Sequence, residues 1–400
     1  MSEPYAPLAP APAGFTLDRA LAATVDPAGT YHVGKLSFAD RQSYNDFKAA
    51  QTDLGGTPVQ LATLHALETT GVAPRSEPMQ PAPPGTTAAQ LLDVTGKTPN
   101  AAGFYELGTL RVQKDEYPAF AALQTGLVAR NPEALAALYH MEHAPDQPVT
   151  FRVTGDDDRN DRFQPGDANQ PGGNTISWNP HTMIRDAFNG ARVAPDTAAL
   201  HEETHWAARD VGDTLASIPA GAWDNHEEER VIEGSEARDM KLLGRDPRHS
   251  HFGYALPTDR IDSITPSLTV TQNGTSREMH APYQQQGRVI GVSGDTTTIA
   301  IRGDGSQPDH RIDLETEQLS LAMNGIDNAK ALLSDARQHG DVISIQLTND
   351  GKMIYTDVAQ QTRLQAQPDP NLHYPEPMHD AARPALAVPH GLPQPIEVGR

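Results

Sequence analysis

The sequence predicts an α+β protein: a central mixed domain built around one histidine-bearing helix, a small β-rich domain after it, and disordered Pro-rich termini. Two histidines lie four residues apart near the middle of the chain, short β-branched runs follow residue 267, and both ends are rich in Pro. These observations divide the chain into a leader (1–28), a first repeat copy (29–72), a linker (73–100), a central domain (101–266), a β-rich domain (267–361) and a tail (362–400).

Composition excludes several classes of protein. The chain has 400 residues, enough for two or three domains, and no Cys, which excludes disulfides, thiolate metal sites and Cys nucleophiles. Its formal charge of −21 argues against nucleic acid or an anionic membrane surface as a partner. We expect no membrane span, because no run of about 18 apolar residues occurs. We also expect no secretory signal peptide, because the first residues lack a basic region followed by an apolar core.

The segment 29–72 resembles the start of the central domain, and both follow Pro-rich stretches that are predicted to be unstructured. Seven residues recur at a constant offset of 74 positions. The pairs are Tyr31 and Tyr105, Gly34 and Gly108, Leu36 and Leu110, Pro58 and Pro132, Leu61 and Leu135, Leu64 and Leu138, and Glu68 and Glu142. We interpret each copy as a short strand followed by a helix that begins at Pro. Coincidence in an Ala- and Leu-rich chain is the alternative.

Two strands are predicted after the second copy, at 148–154 and 174–180. Between them, Asp156, Asp157 and Asp158 form an acidic run without the spaced ligands of a Ca²⁺-binding loop. A solvated loop is therefore favoured over a Ca²⁺ site.

The histidine-bearing helix has recognisable start and stop signals. Pro195 suits its first turn, and Asp196 or Thr197 can cap it. Gly212 is a suitable residue for its end. The predicted helix therefore carries the whole stretch between Pro195 and Gly212.

Within this helix, His201 and His205 lie one turn apart on the same face, with Glu202 between them. Neutral imidazoles bind zinc well, and a catalytic site adds a third protein ligand and an open position for water, whose pKa zinc lowers to about 7. Glu202 is the expected general base. With 16 His in the chain, this motif arises by chance in roughly one such chain in a few tens, so its surroundings must decide.

The third metal ligand is expected from the acidic run that follows. If this run begins a helix, Glu228 shares a face with both Val231 and Ile232, and we choose it as the ligand. Glu227 and Glu229 are expected on a solvated face. His226 is a competing ligand that lies before the helix. The two Nε2 atoms and one carboxylate should converge on a point about 2.0–2.2 Å from each.

These pieces together resemble the effector-type zinc metallopeptidases that Gram-negative bacteria inject into host cells, and related polymorphic-toxin metallopeptidases. The matching segments are 177–180, Pro195, 201–205, 227–236, 243–244 and 248–253. The resemblance implies a zincin-like fold over roughly residues 100–265, one zinc ion, and a strand before the helix at the sheet edge that pairs with substrate. Trp206 departs from the small residue common there.

Two later residues, Arg248 and His251, match the family's later Arg and His. The resemblance implies that they line the cleft and stabilise the oxyanion as catalytic residues. A structural turn that closes the domain is the alternative interpretation of the same residues.

The β-rich domain follows from short strands separated by Gly and Asp turns, with a helix over 321–337 between them. We expect a small β-barrel there. The tail from residue 362 is Pro-rich and is predicted to be disordered.

The sequence therefore predicts a zinc-dependent endopeptidase, a hydrolase in which Glu202 is the general base. The alternative is a catalytically degenerate binding or scaffold protein that keeps a zincin fold. The expected partner is a protein or peptide substrate, a host protein among the candidates, and neither nucleic acid nor membrane. The resemblance further implies a secreted effector or toxin, delivered without a signal peptide. The oligomeric state stays open.

Overall fold

The computed structural model describes residues 8–74, 77–154, 161–166, 174–258, 260–294, 296–302, 309–320, 322–323, 326–348, 353–357 and 362–365. This part of the chain is a mixture of helices and four β-sheets, which confirms the predicted α+β class. The acidic run 156–158 and the tail beyond residue 365 lie outside the described residues. Across the described residues, no helix is long and apolar enough to span a membrane.

In the structure the first repeat copy extends back to Leu17, and it contains a short helix, a small sheet and two longer helices. Its sheet has the order β1-β2-β3 and is antiparallel. The elements are α1 (Leu17–Ala20), β1 (Thr24–Val25), β2 (Tyr31–Val33), β3 (Leu36–Phe38), α2 (Arg41–Asp53) and α3 (Pro58–Thr70).

The second copy repeats this order with a short helix, a hairpin and two longer helices. Its hairpin belongs to the five-stranded sheet described below. The elements are α4 (Ala88–Leu91), β4 (Phe104–Leu107), β5 (Leu110–Gln113), α5 (Tyr117–Arg130) and α6 (Pro132–His143).

The recurring Gly and Glu residues make the same contact in both copies. Gly34 and Gly108 turn the hairpins with φ of +56° and +60°, in the left-handed region that favours glycine. A Cβ on either would lie 2.1 Å from an atom of Glu68 or Glu142. The next N–H in each copy donates to the carbonyl of that glutamate, at 3.0 and 2.9 Å. The recurrence at 74 positions therefore has a structural cause.

The short helices also belong to the copies, because a tyrosine from the first long helix reaches each of them. The Tyr44 hydroxyl donates to the Leu21 carbonyl at 2.6 Å, and the Tyr117 hydroxyl donates to the Leu92 carbonyl. A threonine side chain caps both short helices at the equivalent position.

The leader and linker predictions are therefore wrong for the described residues near α1 and α4. Phe15, Ala20 and Leu21 are buried in the core of the first copy, and Met79 and Leu92 in that of the second. The leader and the linker are rich in Pro and Ala, but each contains a few apolar side chains that pack onto the helices that follow. Disorder was expected from composition, but these contacts depend on tertiary structure.

The central sheet adds three strands to the second hairpin: β6 (Val149–Val153), β7 (Arg162–Gln164) and β8 (Asn174–Trp178). Its order is β4-β5-β6-β8-β7, with β6 parallel to both β5 and β8, and β7 antiparallel to β8. The expectation that the strand before the histidine helix forms the sheet edge is wrong, because β8 pairs on both sides. Among the described strands, the edges of this sheet are β4 and β7.

Helices and another three-stranded sheet follow the central sheet. The sheet has the order β10-β9-β11 and is antiparallel. The elements are β9 (Thr182–Asp186), β10 (Arg192–Val193), α7 (Pro195–Ala207), α8 (Arg209–Ala216), a 3₁₀ turn (Gly221–Trp223), α9 (His226–Val231), a π-turn (Ile232–Glu236), α10 (Ala237–Leu242) and β11 (Gly253–Pro257).

The histidine helix α7 begins at Pro195 as predicted, but its cap and end differ. Ala194 is the cap residue, and Asp196 instead forms a 2.5 Å ion pair with Arg130. The helix ends at Ala207 because Ala208 leaves helical geometry, at φ −119° and ψ 30°. Gly212 therefore lies inside the separate helix α8 rather than at the end of α7.

The C-terminal region forms one antiparallel sheet of eight strands, in the order β13-β12-β16-β15-β14-β17-β18-β19. Among the described strands this order does not close on itself, so they form an open sheet rather than the predicted barrel, and β19 continues the sheet into the predicted tail. The elements are β12 (Ser267–Gln272), β13 (Thr275–His280), β14 (Tyr283–Ser293), β15 (Thr296–Ile301), β16 (His310–Glu315), α11 (Thr316–Ser320), α12 (Ile326–His339), β17 (Val342–Leu347), β18 (Met353–Asp357) and β19 (Thr362–Gln365).

Candidate metal centre

Three side chains from α7 and α9 converge on one point. The Nε2 atoms of His201 and His205 are 2.9 Å apart, and Glu228 Oε2 lies 3.1 Å from the first and 3.4 Å from the second. These three groups are placed to hold a metal ion. The structure thus brings together the three residues that the sequence proposed as ligands.

The size of this triangle suits a small divalent cation. A tetrahedral ion with bonds of about 2.0–2.2 Å separates its ligands by roughly 3.3–3.6 Å. The observed separations of 2.9–3.4 Å are close to that. Glu228 is the most accessible of the three, with 13% of its side chain exposed to solvent.

The second ring nitrogen of His201 is held by a buried ion pair. His201 Nδ1 lies 2.9 Å from Glu236 Oε2. Arg248 binds both oxygens of Glu236, with Nε and Nη2 each at 2.7 Å. A carboxylate that is ionised accepts hydrogen bonds only, so Nδ1 carries a proton and Nε2 is the nitrogen left to bind a metal.

His205 is held in the same way by a different pair. Its Nδ1 lies 2.8 Å from Glu227 Oε1, and Arg230 binds both Glu227 oxygens at 2.6 and 2.5 Å. Gly212 makes room for this contact, since a Cβ there would lie 3.0 Å from Glu227 Oε1. The sequence placed Glu227 on a solvated face, which is wrong because α9 packs against both α7 and α8.

Glu236 was not foreseen, and the π-turn explains why. At 100° per residue, an unbroken α-helix places Glu236 roughly 80° around the axis from Glu228. The π-turn at Ile232–Glu236 absorbs about one extra residue and returns Glu236 to the histidine side. Gly234, with φ −95° and ψ −106°, departs from helical geometry inside this turn. A glycine within the acidic helix was the available sequence signal.

Glu202 lies beside the triangle. Its Oε1 is 4.0 Å from His201 Nε2, and its Oε2 accepts the Phe163 N–H at 2.6 Å. That N–H points away from β8, so it belongs to the free edge of β7. Burial raises the pKa of the Glu202 carboxyl, and the nearby histidines oppose this shift.

The charges of the centre are strongly coupled. Burial disfavours the imidazolium of His205, yet the carboxylates of Glu228 and Glu227 outweigh burial and raise its pKa well above the ordinary value. Burial likewise opposes ionisation of Glu236, but Arg248 and the ligand histidine lower its pKa to about 2. Glu227, Glu228 and Glu236, whose pKa values are all lowered, therefore stay ionised as acceptors for the histidines.

The other proposed residues take distinct places. His251 is buried, with Nε2 3.4 Å from Glu228 Oε2 and its ring parallel to His201 at 6.4 Å between centroids. Arg248 directs its Nε and Nη2 to Glu236, which gives it an orienting position rather than the predicted cleft-lining one. His226 binds Glu229 at 2.5 Å and is not among the converging groups.

The face of α7 away from the metal groups carries another buried carboxyl that the sequence did not single out. Glu203 Oε1 accepts the Gln124 side-chain N–H at 2.5 Å. Burial raises the pKa of Glu203 to about 8. This contact ties α7 to α5 of the second repeat copy.

Comparison with models of known protein families, with curated proteins and with solved structures finds no match to this chain.

Proposed function

We propose that this chain is a zinc-dependent endopeptidase. The observation that carries the proposal is the convergence of His201, His205 and Glu228, with Glu202 beside them. Two imidazoles and one carboxylate form a ligand set typical of catalytic zinc, which leaves one position open. The chain has no Cys, so a structural site with thiolate ligands is excluded.

Each residue has a definite task in peptide hydrolysis. Zinc held by the triangle would lower the pKa of a water molecule and polarise the scissile carbonyl. Glu202 accepts the proton from the attacking water and passes it to the leaving amine. The Phe163 N–H holds Glu202 Oε2, which leaves Oε1 for this transfer. To His251, whose Nε2 lies 3.4 Å from Glu228 Oε2, we assign stabilisation of the oxyanion.

The outer edge of β7 is a candidate site for an extended peptide substrate. Within the described residues, β7 pairs only with β8, so no strand covers its other edge, although the Phe163 N–H there is taken by Glu202. Phe163 lies on that edge and also touches the proposed base. A substrate strand that pairs with β7 would therefore pass beside Glu202.

The deciding experiment combines metal analysis with proteolysis of an unfolded, dye-labelled protein. We expect one zinc per chain in the wild type and in Glu202→Gln, and proteolysis in the wild type alone, with a loss of at least about 100-fold in the variant. Glu229→Gln is the matched control, because Glu229 belongs to the same acidic run but binds His226. It should keep both zinc and activity.

Three results would redirect the proposal. A wild type that binds zinc but cleaves nothing would favour the degenerate binding or scaffold protein with a retained zincin fold. A wild type without zinc would remove the metal centre itself. Equal proteolysis by wild type and Glu202→Gln would exclude Glu202 as the base.

We further propose delivery into a host or target cell as an effector or toxin. Support comes from the resemblance of the motifs at 201–205, 227–236 and 248–253 to secreted metallopeptidases. Production of wild type and Glu202→Gln inside host cells tests this: a toxic or protein-cleaving effect should appear with the wild type only. No effect from either protein would count against it.

A further inference from the structure

Two arginine–glutamate pairs lie behind the metal groups, and both are almost inaccessible to solvent. Arg248 and Glu236 are 3% and 0% exposed, and Arg230 and Glu227 are 4% and 5% exposed. Burying such charges costs several kcal/mol per ion, and the pairing only offsets that cost. Their burial needs an explanation other than stability.

Their geometry gives one. In each pair the arginine binds both carboxylate oxygens, and one of those oxygens also accepts from a histidine Nδ1, at 2.9 Å for His201 and 2.8 Å for His205. The arginine therefore fixes the carboxylate, and the carboxylate fixes both the tautomer and the ring plane. Both histidines then direct Nε2 at the same point.

The two pairs reach the histidines from different parts of the chain. Glu227 and Arg230 are three residues apart on α9, the helix that also supplies Glu228. Glu236 ends the π-turn, and Arg248 lies beyond α10 in the segment that leads to His251. The site thus couples α9, the π-turn and the later segment to the two rings of α7.

We propose that Glu227, Arg230, Glu236 and Arg248 are positioning residues that preset both histidines as Nε2 metal ligands. This inference rests on the proposed zinc site, but not on peptidase activity. It assigns Arg248 to His201 through Glu236 instead of to the substrate. It also gives Gly212 a role, since the missing Cβ admits Glu227 to its position.

Zinc affinity, measured by competition with a chromophoric chelator, tests the proposal in the full-length protein. Glu236→Gln and Glu227→Gln keep the side-chain shape and remove the charge, and each should weaken zinc binding by about 10–100-fold. Arg248→Met and Arg230→Met should do the same. In the Co²⁺ form, the visible absorption spectrum should change for all four variants, because the ligand rings reorient.

A matched pair elsewhere supplies the control. Arg238 binds both oxygens of Glu133, at 2.9 and 2.6 Å, and this pair touches neither histidine. Glu133→Gln should lower the thermal midpoint of the metal-free protein without changing zinc affinity or the Co²⁺ spectrum. If Glu227–Arg230 and Glu236–Arg248 had a purely structural role, their variants would likewise lower the thermal midpoint and leave zinc affinity and the Co²⁺ spectrum unchanged.

The outcomes are distinct. Wild type without zinc would defeat the proposed function. Wild type that binds zinc, together with charge-removing variants of unchanged affinity and spectrum, would overturn the positioning role alone. Should any of these variants fail to fold, Arg248→Lys and Glu236→Asp decide: partial recovery of zinc affinity supports the proposal, and full wild-type affinity contradicts it.

Discussion

The two repeat copies have the same elements but different places in the molecule. Phe47 and Gln51 on α2 correspond to Phe120 and Gln124 on α5, each 73 positions later. Gln124 binds Glu203 on the histidine helix α7. Gln51 instead binds the Thr214 carbonyl and the Ser217 hydroxyl at the end of α8, at 2.9 and 2.8 Å.

The sheets of the two copies also pair and pack with different parts of the molecule. In the second copy, β5 pairs with β6, and the hydrophobic core continues to Leu200 and Trp206 of α7. In the first copy, β3 pairs only with β2 among the described strands, and the core takes in Leu215 of α8 and Ile218, which follows that helix. One unit thus builds the support of the metal centre, and its duplicate packs on the neighbouring helix.

The largest effect that separates the copies is expected from the equivalent phenylalanines. Phe120→Ala and Phe47→Ala should each lower the free energy of unfolding by about 3–5 kcal/mol, because both rings are fully enclosed. Only Phe120→Ala should also weaken zinc binding, since its core continues into α7. Denaturant unfolding and chelator competition measure the two effects. Equal loss of zinc affinity in both variants would show that the copies do not differ in this way.

A smaller effect is expected from the equivalent glutamines. Gln124→Ala should cost about 1–2 kcal/mol of stability and weaken zinc binding, because it leaves the buried Glu203 carboxyl without its amide partner. Gln51→Ala should cost a similar amount, since it removes the bonds to α8, and leave zinc affinity unchanged. Thermal unfolding and zinc titration of the two variants provide the comparison, and a reversed order would contradict it.

A further effect concerns pH. Burial raises the pKa of Glu142, in the second copy, from 4.5 to about 8. Because the folded state keeps a proton that the unfolded state loses, stability should fall as pH rises from about 4.5 to about 8. Glu142→Gln should flatten this slope in unfolding measured at several pH values, with Glu68→Gln as the control at the equivalent position. An unchanged slope would exclude Glu142 as its source.

Local patterns in the sequence predicted the parts of the centre that depend on α-helical spacing. Four-residue spacing placed His201 and His205 together, and helical facing selected Glu228, which the structure brings to them. The assignment of residues to helix faces missed Glu236, because a π-turn changes the number of residues per turn between Glu236 and Glu228. The same assignment was wrong for Glu227, because α9 packs against both α7 and α8, and Glu227 is buried rather than solvated.

The duplication shows the same limit at the level of the fold. The 74-residue offset identified the hairpin glycines and the second long helices. The first long helices are offset by 73 and the short helices by 71, as Tyr44 and Tyr117, and then Leu21 and Leu92, show. A fixed offset of 74 residues therefore does not align the short helices α1 and α4, which the sequence prediction placed in a leader and a linker.

The π-turn at Ile232–Glu236 makes the centre sensitive to the length of the chain as well as to its side chains. Insertion of one residue after the π-turn's Gly234, with the turn itself kept, would rotate every later residue by about 100°. Glu228 and Glu227 would stay beside the histidines, whereas Glu236 would turn away from His201. Gain of a single codon, with no change in any ligand, would thus leave one of the two imidazoles without its carboxylate.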